Sequence, residues 1–232
     1  MYYVYCYLQL LYGSLVMTTK ILPPTKLEEY RHMVRRWKGC TKCPIGSWAH
    51  MHVFGRGDLD AQVVMVGEAP GRTEDALGIP FVGLAGRILD EALDKGKVEG
   101  VKWVITNLVA CRPHDGEICQ SNRTPNEIEM RNCRDRLVET IEIIKPKILI
   151  ALGLTARENM PSLLKEKYRF FSVYHPSYIL RNGGVDSEIF KKYVEELRRI
   201  MSYAKIRRSK VRSNAKSTNE LSRMPEIRGT LA

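Results

Sequence analysis

The sequence predicts one three-layer α/β/α domain with a central, mainly parallel sheet of four strands. The length of 232 residues suits one domain and is too short for two enzyme domains joined by a linker. Four short runs of apolar, β-branched residues alternate with amphipathic helical patterns, as in a sheet covered by helices. The runs are continuously apolar, so both faces of each strand should be buried, as in a parallel sheet. The predicted strands are Gln62–Gly67, Trp103–Val109, Ile148–Gly153 and Arg169–Tyr174.

Three helices are predicted before and between these strands. Thr25 and Glu28 have the spacing of a capping box and predict a first helix that ends near Lys38. Apolar residues that share one helical face predict a second helix over Ala85–Leu93 and a third over Asn126–Ile144.

The third helix has signals for both of its ends. Thr124 is a candidate N-cap, Pro125 suits the first helical position, and Glu127 completes a second capping box. Pro146 should stop the helix.

The two ends of the chain differ from its middle. Residues 205–232 hold eight basic and two acidic residues without apolar periodicity, which predicts a flexible basic tail that either follows a phosphate backbone or is merely solvated. Residues 1–16 carry no charge and lack the features of a secretory signal, so they are an upstream extension, a short strand or a partner-binding arm. The main domain is therefore placed at residues 17–204.

The net charge of +11 indicates a polyanionic partner, and nucleic acid is the first candidate. No stretch approaches the roughly 20 apolar residues that a membrane span needs, so no membrane association is expected.

Six cysteines in a chain without an export signal argue against a disulfide framework and favour a metal site. Four thiolates could hold either a tetrahedral zinc ion or an iron–sulfur cluster, and spacing alone does not choose between them. Cys119 is an alternative to Cys111 as the third ligand, and Cys6 is expected to be uninvolved. The four candidate ligands are Cys40 and Cys43, which form a C-x2-C pair, and the downstream Cys111 and Cys133.

Two groups suited to catalysis follow the predicted strands, where ligands bind in open α/β sheets. Glu68, Glu74 and Asp75 lie in a Gly- and Pro-rich turn that has neither of the glycine patterns that cradle phosphate. These carboxylates could activate water or stabilise a cation, or they could be the solvated acids of a tight turn. His175 leaves the fourth strand into a Pro-fixed loop at the same end of the sheet, which favours a functional role for it.

Five motifs in order carry a resemblance to a known family. They are GEAPGRTED, GIPFVGLAGRILDEAL, ITNLVACRP, NRTP leading into Cys133, and YHPSYILR. Together they closely resemble the family 4 uracil-DNA glycosylases, the iron–sulfur class first associated with thermophiles, from about Cys40 to Arg181. Family 5 fits less well because its first motif is alanine-rich and lacks Glu68. The DNA-linking relatives carry a basic, histidine-containing insertion that this chain lacks.

The resemblance implies a uracil-DNA glycosylase fold and the excision of uracil from single- or double-stranded DNA, which leaves an abasic site for base excision repair. It also implies that Cys40, Cys43, Cys111 and Cys133 bind a structural [4Fe-4S] cluster rather than zinc. One departure is the set of extra residues 114–121, which include Cys119 and precede the NRTP motif.

The resemblance also implies roles for residues of the site. Phe81 would stack on the flipped uracil, Asn107 would read its Watson–Crick edge, and His175 would donate to its O2. Glu68 and Glu74 would position water or support the cationic sugar, and they are given comparable weight. 

Further positions are assigned to the substrate. Ala69 stands where other branches of the superfamily place a water-activating aspartate. Ser177 is assigned to substrate binding, and Ile179 and Leu180 stand where the superfamily inserts an apolar wedge into the vacated stack.

Two rival functions remain open from the sequence. One is a non-catalytic iron–sulfur DNA-binding protein of the same fold, and the other is a glycosylase that acts chiefly on another deaminated base. The joint presence of Glu68, Phe81, Asn107 and His175 weighs against the first. We expect a cytoplasmic, nucleoid-associated monomer, with a sliding clamp as a candidate partner.

Overall fold

The computed structural model describes residues 4–11, 14–21, 23–115 and 121–205. Its main sheet has five strands in the order β3-β5-β4-β6-β7, and all neighbours are parallel except β3 and β5. The strands are β3 (Arg56–Gly57), β4 (Val63–Gly67), β5 (Trp103–Asn107), β6 (Ile148–Leu152) and β7 (Arg169–Val173); a separate hairpin is formed by β1 (Val4–Leu11) and β2 (Ser14–Ile21).

The four predicted strands of the main sheet are confirmed, each one or two residues shorter than its apolar run. The predicted count of four was wrong, because β3 adds a fifth strand at one edge, antiparallel to β5. Arg56 and Gly57 pair with Ile105 and Val104. A strand of only two residues, one charged and one glycine, has no apolar run from which it could be predicted.

Nine α-helices lie within the described part of the chain. They are α1 (Lys26–Trp37), α2 (Pro44–Trp48), α3 (Arg72–Leu77), α4 (Leu84–Lys95), α5 (Glu127–Ile144), α6 (Leu154–Asn159), α7 (Ser162–Lys167), α8 (Pro176–Arg181) and α9 (Glu188–Ser202). Short 3-10 turns span Gly184–Asp186 and Tyr203–Lys205. No helix of the described ranges is long and apolar enough to cross a membrane.

The alternation of side chains along the buried strands makes the three layers. On β4, Val63 and Met65 face a core formed with α4, α8 and α9. Val64 and Val66 face a second core, formed with α5, α6 and α7. Burial on both faces is what the continuous apolar runs predict, so the three-layer α/β/α class is confirmed.

The capping box at α1 is confirmed: Thr25 accepts a hydrogen bond from the backbone N–H of Glu28, and the Glu28 carboxylate accepts one from that of Thr25. The predicted bounds of α5 were correct to within one residue, but its predicted capping by Thr124, Pro125 and Glu127 was wrong. Asn126 is the N-cap there, and its partner in the box is Glu129 rather than Glu127. The Glu129 carboxylate is also bound by two nitrogens of Arg123, which fixes it at this position.

The hairpin runs from the Val4–Ile21 pair to the Leu11–Ser14 pair. A strand was one of the alternatives for the uncharged residues at the amino end, and β2 crosses the predicted boundary at residue 16. The predicted basic tail lies outside the described residues beyond Lys205.

Candidate functional site

The candidate active site lies at the carboxyl ends of the central strands. Gly67 ends β4 and Asn107 ends β5, and the two residues are paired in the parallel register. Asn107 is only 1% exposed, yet neither its amide nitrogen nor its amide oxygen has a hydrogen-bond partner among the described residues. A buried amide with no partner is costly and rare in folded proteins. It is explained if a ligand supplies the missing partners.

Phe81 lies directly beside this amide because residue 67 is glycine. A Cβ atom at Gly67 would come within 2.4 Å of the Phe81 ring and 2.5 Å of the Asn107 side-chain oxygen. The close approach of these two side chains therefore depends on the missing side chain at Gly67.

Phe81 has a left-handed backbone with φ of 56°, which is unusual for an aromatic residue. The Arg56 guanidinium holds this turn by donating from Nε to the carbonyl of Pro80 (2.9 Å) and from Nη2 to that of Phe81 (3.3 Å). Gly86 leaves room for the same carbonyl, since a Cβ there would lie 1.9 Å from the Phe81 oxygen. Arg56 and Gly86 thus both hold the turn, which places the Phe81 ring beside Asn107.

His175 completes the group from the end of β7. Its ring centroid is 5.8 Å from that of Phe81, with the planes tilted by 40°. Its Nδ1 atom accepts a hydrogen bond from the backbone N–H of Ser177 (3.2 Å) and lies 2.8 Å from the Ser177 hydroxyl, which itself accepts from Arg181 (3.3 Å). Since a backbone N–H only donates, Nδ1 carries no proton. The neutral ring therefore has its proton on Nε2.

Burial lowers the pKa of His175 to about 4, and the positive charge of Arg181 acts in the same direction. Part of the residue remains accessible, but the ring is packed among protein atoms. The imidazole is therefore neutral at neutral pH, with one fixed Nε2–H donor. A Cβ at Gly153 would lie 2.8 Å from the His175 Cβ, so the glycine before α6 makes room for this ring position.

The two candidate carboxylates have different surroundings. Glu74 accepts three backbone hydrogen bonds, from Gly71 (3.1 Å), Val82 (3.0 Å) and Gly83 (2.7 Å). It thereby joins the start of α3 to the turn that carries Phe81. Glu68 follows directly after β4 and is partly buried; its backbone carbonyl accepts from the N–H of Val109 (3.4 Å), but its carboxylate forms no hydrogen bond or ion pair with other described residues. Of the two, Glu68 has the carboxylate that is free to meet a ligand.

The remaining sequence-based assignments fall into two groups. Ala69 is partly buried and offers only a methyl group next to Glu68, while Ser177 acts on His175 as described. The expectation of a wedge at Ile179 was wrong, because this side chain is 0% exposed in the core beneath α8. Leu180 is 37% exposed, so α8 presents Leu180 rather than Ile179 to solvent.

The four candidate metal ligands line one pocket. Asn132 ties the C-x2-C segment to α5 by donating to the carbonyl of Lys42 (2.8 Å). A Cβ at Gly46 would lie 2.2 Å from the Cys40 carbonyl, so glycine lets α2 fold back over this segment. The pocket is lined by Trp37, Cys40, Lys42, Cys43, His52, Ala110, Cys111, Asn132, Cys133 and Arg136.

The thiols of this pocket influence one another. Burial raises the pKa of Cys111 far above its usual range, and the neighbouring Cys133, Cys43 and Cys40 raise it further, against the Arg136 charge. Burial also raises the pKa of Cys43, and this is opposed by the backbone N–H of Gly46. Cysteines bind metal as thiolates, so a cation bound in this pocket would have to offset the cost of burying their charge.

An all-cysteine donor set suits zinc or an iron–sulfur cluster. The cysteines line a common pocket, but no group of three or more His, Cys, Asp or Glu side chains in the described ranges is arranged to hold a metal ion. Cys119 lies outside the described residues, and the side chain of Cys6 is not described.

Sequence reasoning missed Arg56 and Arg136 as parts of these two sites. Both act through tertiary contacts that a local sequence pattern does not predict. Nothing in the sequence distinguishes them among the 37 lysines and arginines of the chain. Gly153 was also missed, since its importance depends on how β7 and α6 approach each other.

Residues 54–198 match the model of the uracil DNA glycosylase superfamily. A type-4 uracil-DNA glycosylase of Pyrobaculum aerophilum is 39% identical over 67% of this chain and 77% of its own length. A type-4 uracil-DNA glycosylase of Thermotoga maritima is 36% identical over 77% of this chain and 96% of its own length. That of Archaeoglobus fulgidus is 32% identical over 73% of this chain and 94% of its own length. The match to the superfamily model includes Phe81, Asn107 and His175.

Proposed function

This chain belongs to the uracil DNA glycosylase superfamily, and we propose on that premise that Asn107, Phe81, His175 and Glu68 hydrolyse the N-glycosidic bond of uracil in DNA. The products are free uracil and an abasic site for base excision repair. The observation that carries this assignment is the buried, unpartnered amide of Asn107 beside the Phe81 ring.

The base must first leave the duplex, because the glycosidic bond is inaccessible within the stack. Phe81 offers an aromatic face for the flipped base, and stacking of this kind contributes about 1–3 kcal/mol per base. Leu180 is the exposed apolar side chain on α8 that can fill the space the base leaves.

Asn107 selects uracil by the pattern of its hydrogen bonds. The amide nitrogen donates to O4 and the amide oxygen accepts from N3–H, so uracil satisfies both orphan atoms at once. Cytosine presents a donor and an acceptor in the opposite order. It would leave the buried amide unsatisfied, and this is a strong basis for rejection.

His175 and Glu68 act on the two charges of the transition state. As the bond between C1′ and N1 breaks, its electron pair moves onto the base, and the Nε2–H of His175 donates to the charge that develops at O2. The sugar becomes cationic, and the Glu68 carboxylate stabilises it and accepts a proton from the water whose oxygen bonds to C1′. The departing uracil anion then takes up a proton from solvent, and Glu68 returns its own to solvent. A neutral His175 is suited to this role because its proton stays in place while charge builds up on the base.

We further propose that Cys40, Cys43, Cys111 and Cys133 hold a [4Fe-4S] cluster. The all-thiol donor set and its shared pocket support a metal centre, and the resemblance to the iron–sulfur family favours the cluster over zinc. Such a cluster supplies structural cross-links. Its ligands would join the segment after α1, the loop after β5 and helix α5, and so brace the loop that begins at Asn107.

The substrate is uracil-containing DNA, and we propose on that ground that the protein acts in the cytoplasm, at the nucleoid. Action as a monomer and contact with a sliding clamp stay predictions.

The test is excision by the purified protein from labelled oligonucleotides that contain U·G, U·A, single-stranded U, hypoxanthine or T·G. We expect cleavage of the uracil substrates and little of T·G, with Asn107→Leu as the inactive control. Binding of DNA without release of any base would favour the non-catalytic alternative. Faster release of hypoxanthine than of uracil would favour the glycosylase for another deaminated base.

A further inference from the structure

The guanidinium of Arg136 lies fully buried between α5 and the carboxyl end of β5. Its Nη2 donates to the backbone carbonyls of Asn107 (2.7 Å) and Leu108 (2.8 Å), and its Nη1 donates to the Thr106 hydroxyl (3.0 Å). One side chain of α5 thus holds three successive residues of the strand end that carries the base-reading amide.

This buried cation lacks a counter-ion within the described part of the chain. Its three acceptors are neutral oxygens, and its Nε has no hydrogen-bond partner. Buried charges are ordinarily paired with an opposite charge, because the interior does not replace the hydration that they lose. An additional negative charge close to Arg136 would remove this deficit.

The pocket of the four cysteines is the place from which that charge can come. Arg136 lines the same pocket as Cys40, Cys43, Cys111 and Cys133. Cysteines bind metal as thiolates, and four thiolates around an iron–sulfur core carry a net negative charge. Arg136 therefore both lines the pocket proposed for the metal centre and holds the Asn107 carbonyl.

We propose that Arg136 is a positioning residue that couples the metal centre to uracil recognition, as the counter-cation of the cluster and as the donor that fixes the strand end at Asn107. The inference rests on the proposed function for the presence of the cluster. It implies that occupancy of the metal centre affects how well Asn107 is held for the base, although the cluster takes no part in the reaction.

The experiment compares two substitutions in the iron-loaded protein. Arg136→Lys keeps the positive charge but loses the forked set of donors, while Arg136→Gln keeps an N–H donor but loses the charge. Arg134→Gln is the matched control, since Arg134 is an exposed cation on the same helix. Each protein is measured for its iron content, for the midpoint potential of the cluster and for inhibition of excision by free uracil.

We expect Arg136→Gln to move the midpoint potential to a more negative value, because the reduced cluster would lose a nearby buried cation. Arg134→Gln should move it much less, because solvent screens an exposed charge. Arg136→Lys should keep the potential near that of the wild type. Both substitutions at residue 136 should weaken inhibition by uracil by about tenfold, the value of one charge-assisted hydrogen bond.

An unchanged potential in Arg136→Gln, or equal shifts at positions 134 and 136, would overturn the counter-cation role. If Arg136→Gln does not fold, Arg136→Lys still decides, because unaltered inhibition by uracil would contradict the positioning role. A wild-type protein that excises uracil without containing iron would contradict this inference and leave the glycosylase function standing. One that contains iron but releases no base would contradict the proposed function, while the potentials would still test Arg136.

Discussion

The ring of His175 lies 5.8 Å from that of Phe81, centroid to centroid, with the planes tilted by 40°. We therefore expect a base that stacks on Phe81 to present its edge to the imidazole. Because Nδ1 of His175 is occupied by the backbone N–H of Ser177, only Nε2 can donate to that edge. The hydrogen bond that holds the loop after β7 therefore also selects the tautomer of the proposed catalytic group.

His175→Ala should lower the single-turnover excision rate by roughly the 10²–10³-fold that follows loss of one donor to a developing oxyanion. Affinity for uracil-containing DNA should change little, since the donor acts mainly on the transition state. Rapid-quench kinetics and a binding titration on the same oligonucleotide separate the two effects. A wild-type rate in this variant would be incompatible with the proposed mechanism.

The pKa of His175, lowered to about 4, predicts that the rate of excision is maintained to an unusually low pH. The neutral donor persists as the pH falls from 7 to about 5, so the histidine should limit excision only near pH 4. The unfolded chain binds the proton first, because its histidine has the higher pKa. The contribution to stability is therefore complete above about pH 6.5 and is lost as the pH falls toward 4.

Single-turnover rates and urea unfolding over the same pH range test both parts of this prediction. Loss of half the rate near pH 6.5 would show that the imidazole titrates as in water and is not held neutral.

The unpartnered Asn107 amide predicts opposite effects on stability and activity. Asn107→Leu should abolish recognition of uracil, yet leave the melting temperature unchanged or raise it, because it removes two buried polar atoms that lack partners. Asn107→Asp should disturb the choice of base instead, since a carboxylate accepts where the amide donates, and this favours cytosine. Thermal melts with and without free uracil, together with excision from U and C oligonucleotides, measure both. Clear destabilisation by leucine would mean that the amide has a structural partner in the protein.

The four-cysteine pocket predicts a brown protein with broad absorbance and bound iron. Cys111→Ser should lose the cluster, whereas Cys6→Ser should retain it. Cys119→Ser decides the open point of the third ligand: retention of iron is expected, and loss in this variant alone would transfer that role from Cys111. Iron and zinc analysis of the purified proteins gives the result, and one zinc per chain in a colourless wild type would contradict the cluster.

The sheet could be predicted from the sequence because the chain's continuous apolar runs are a local property that burial on both faces requires. Helix α9 could also have been found, since Phe190, Tyr193, Val194 and Leu197 follow the helical period. The edge strand at Arg56–Gly57 could not, because its pairing is decided by β5.

In the candidate site, too, some features can be predicted from local sequence and others depend on tertiary packing. Asn107 and His175 follow predicted strands, so their shared edge of the sheet was accessible to sequence reasoning. The burial of Ile179 beside the exposed Leu180 depends on how α8 is rotated against α4, which adjacent apolar residues do not specify. The contacts of Glu74 likewise depend on a turn eight residues further along the chain.

The different contacts of Glu68 and Glu74 predict that substitutions of these two residues have different effects. Glu68→Gln should lower the single-turnover rate and leave stability nearly unchanged, because the carboxylate has no partner in the described protein. Glu74→Gln should instead destabilise the protein by about 1–2 kcal/mol, since an amide cannot accept the same three backbone hydrogen bonds. Its rate should fall only as far as the turn at Phe81 loosens, and a lower temperature should recover part of it. Urea unfolding and rapid-quench kinetics on both variants give the comparison. A large loss of rate in Glu74→Gln at unaltered stability would return the catalytic carboxylate to Glu74.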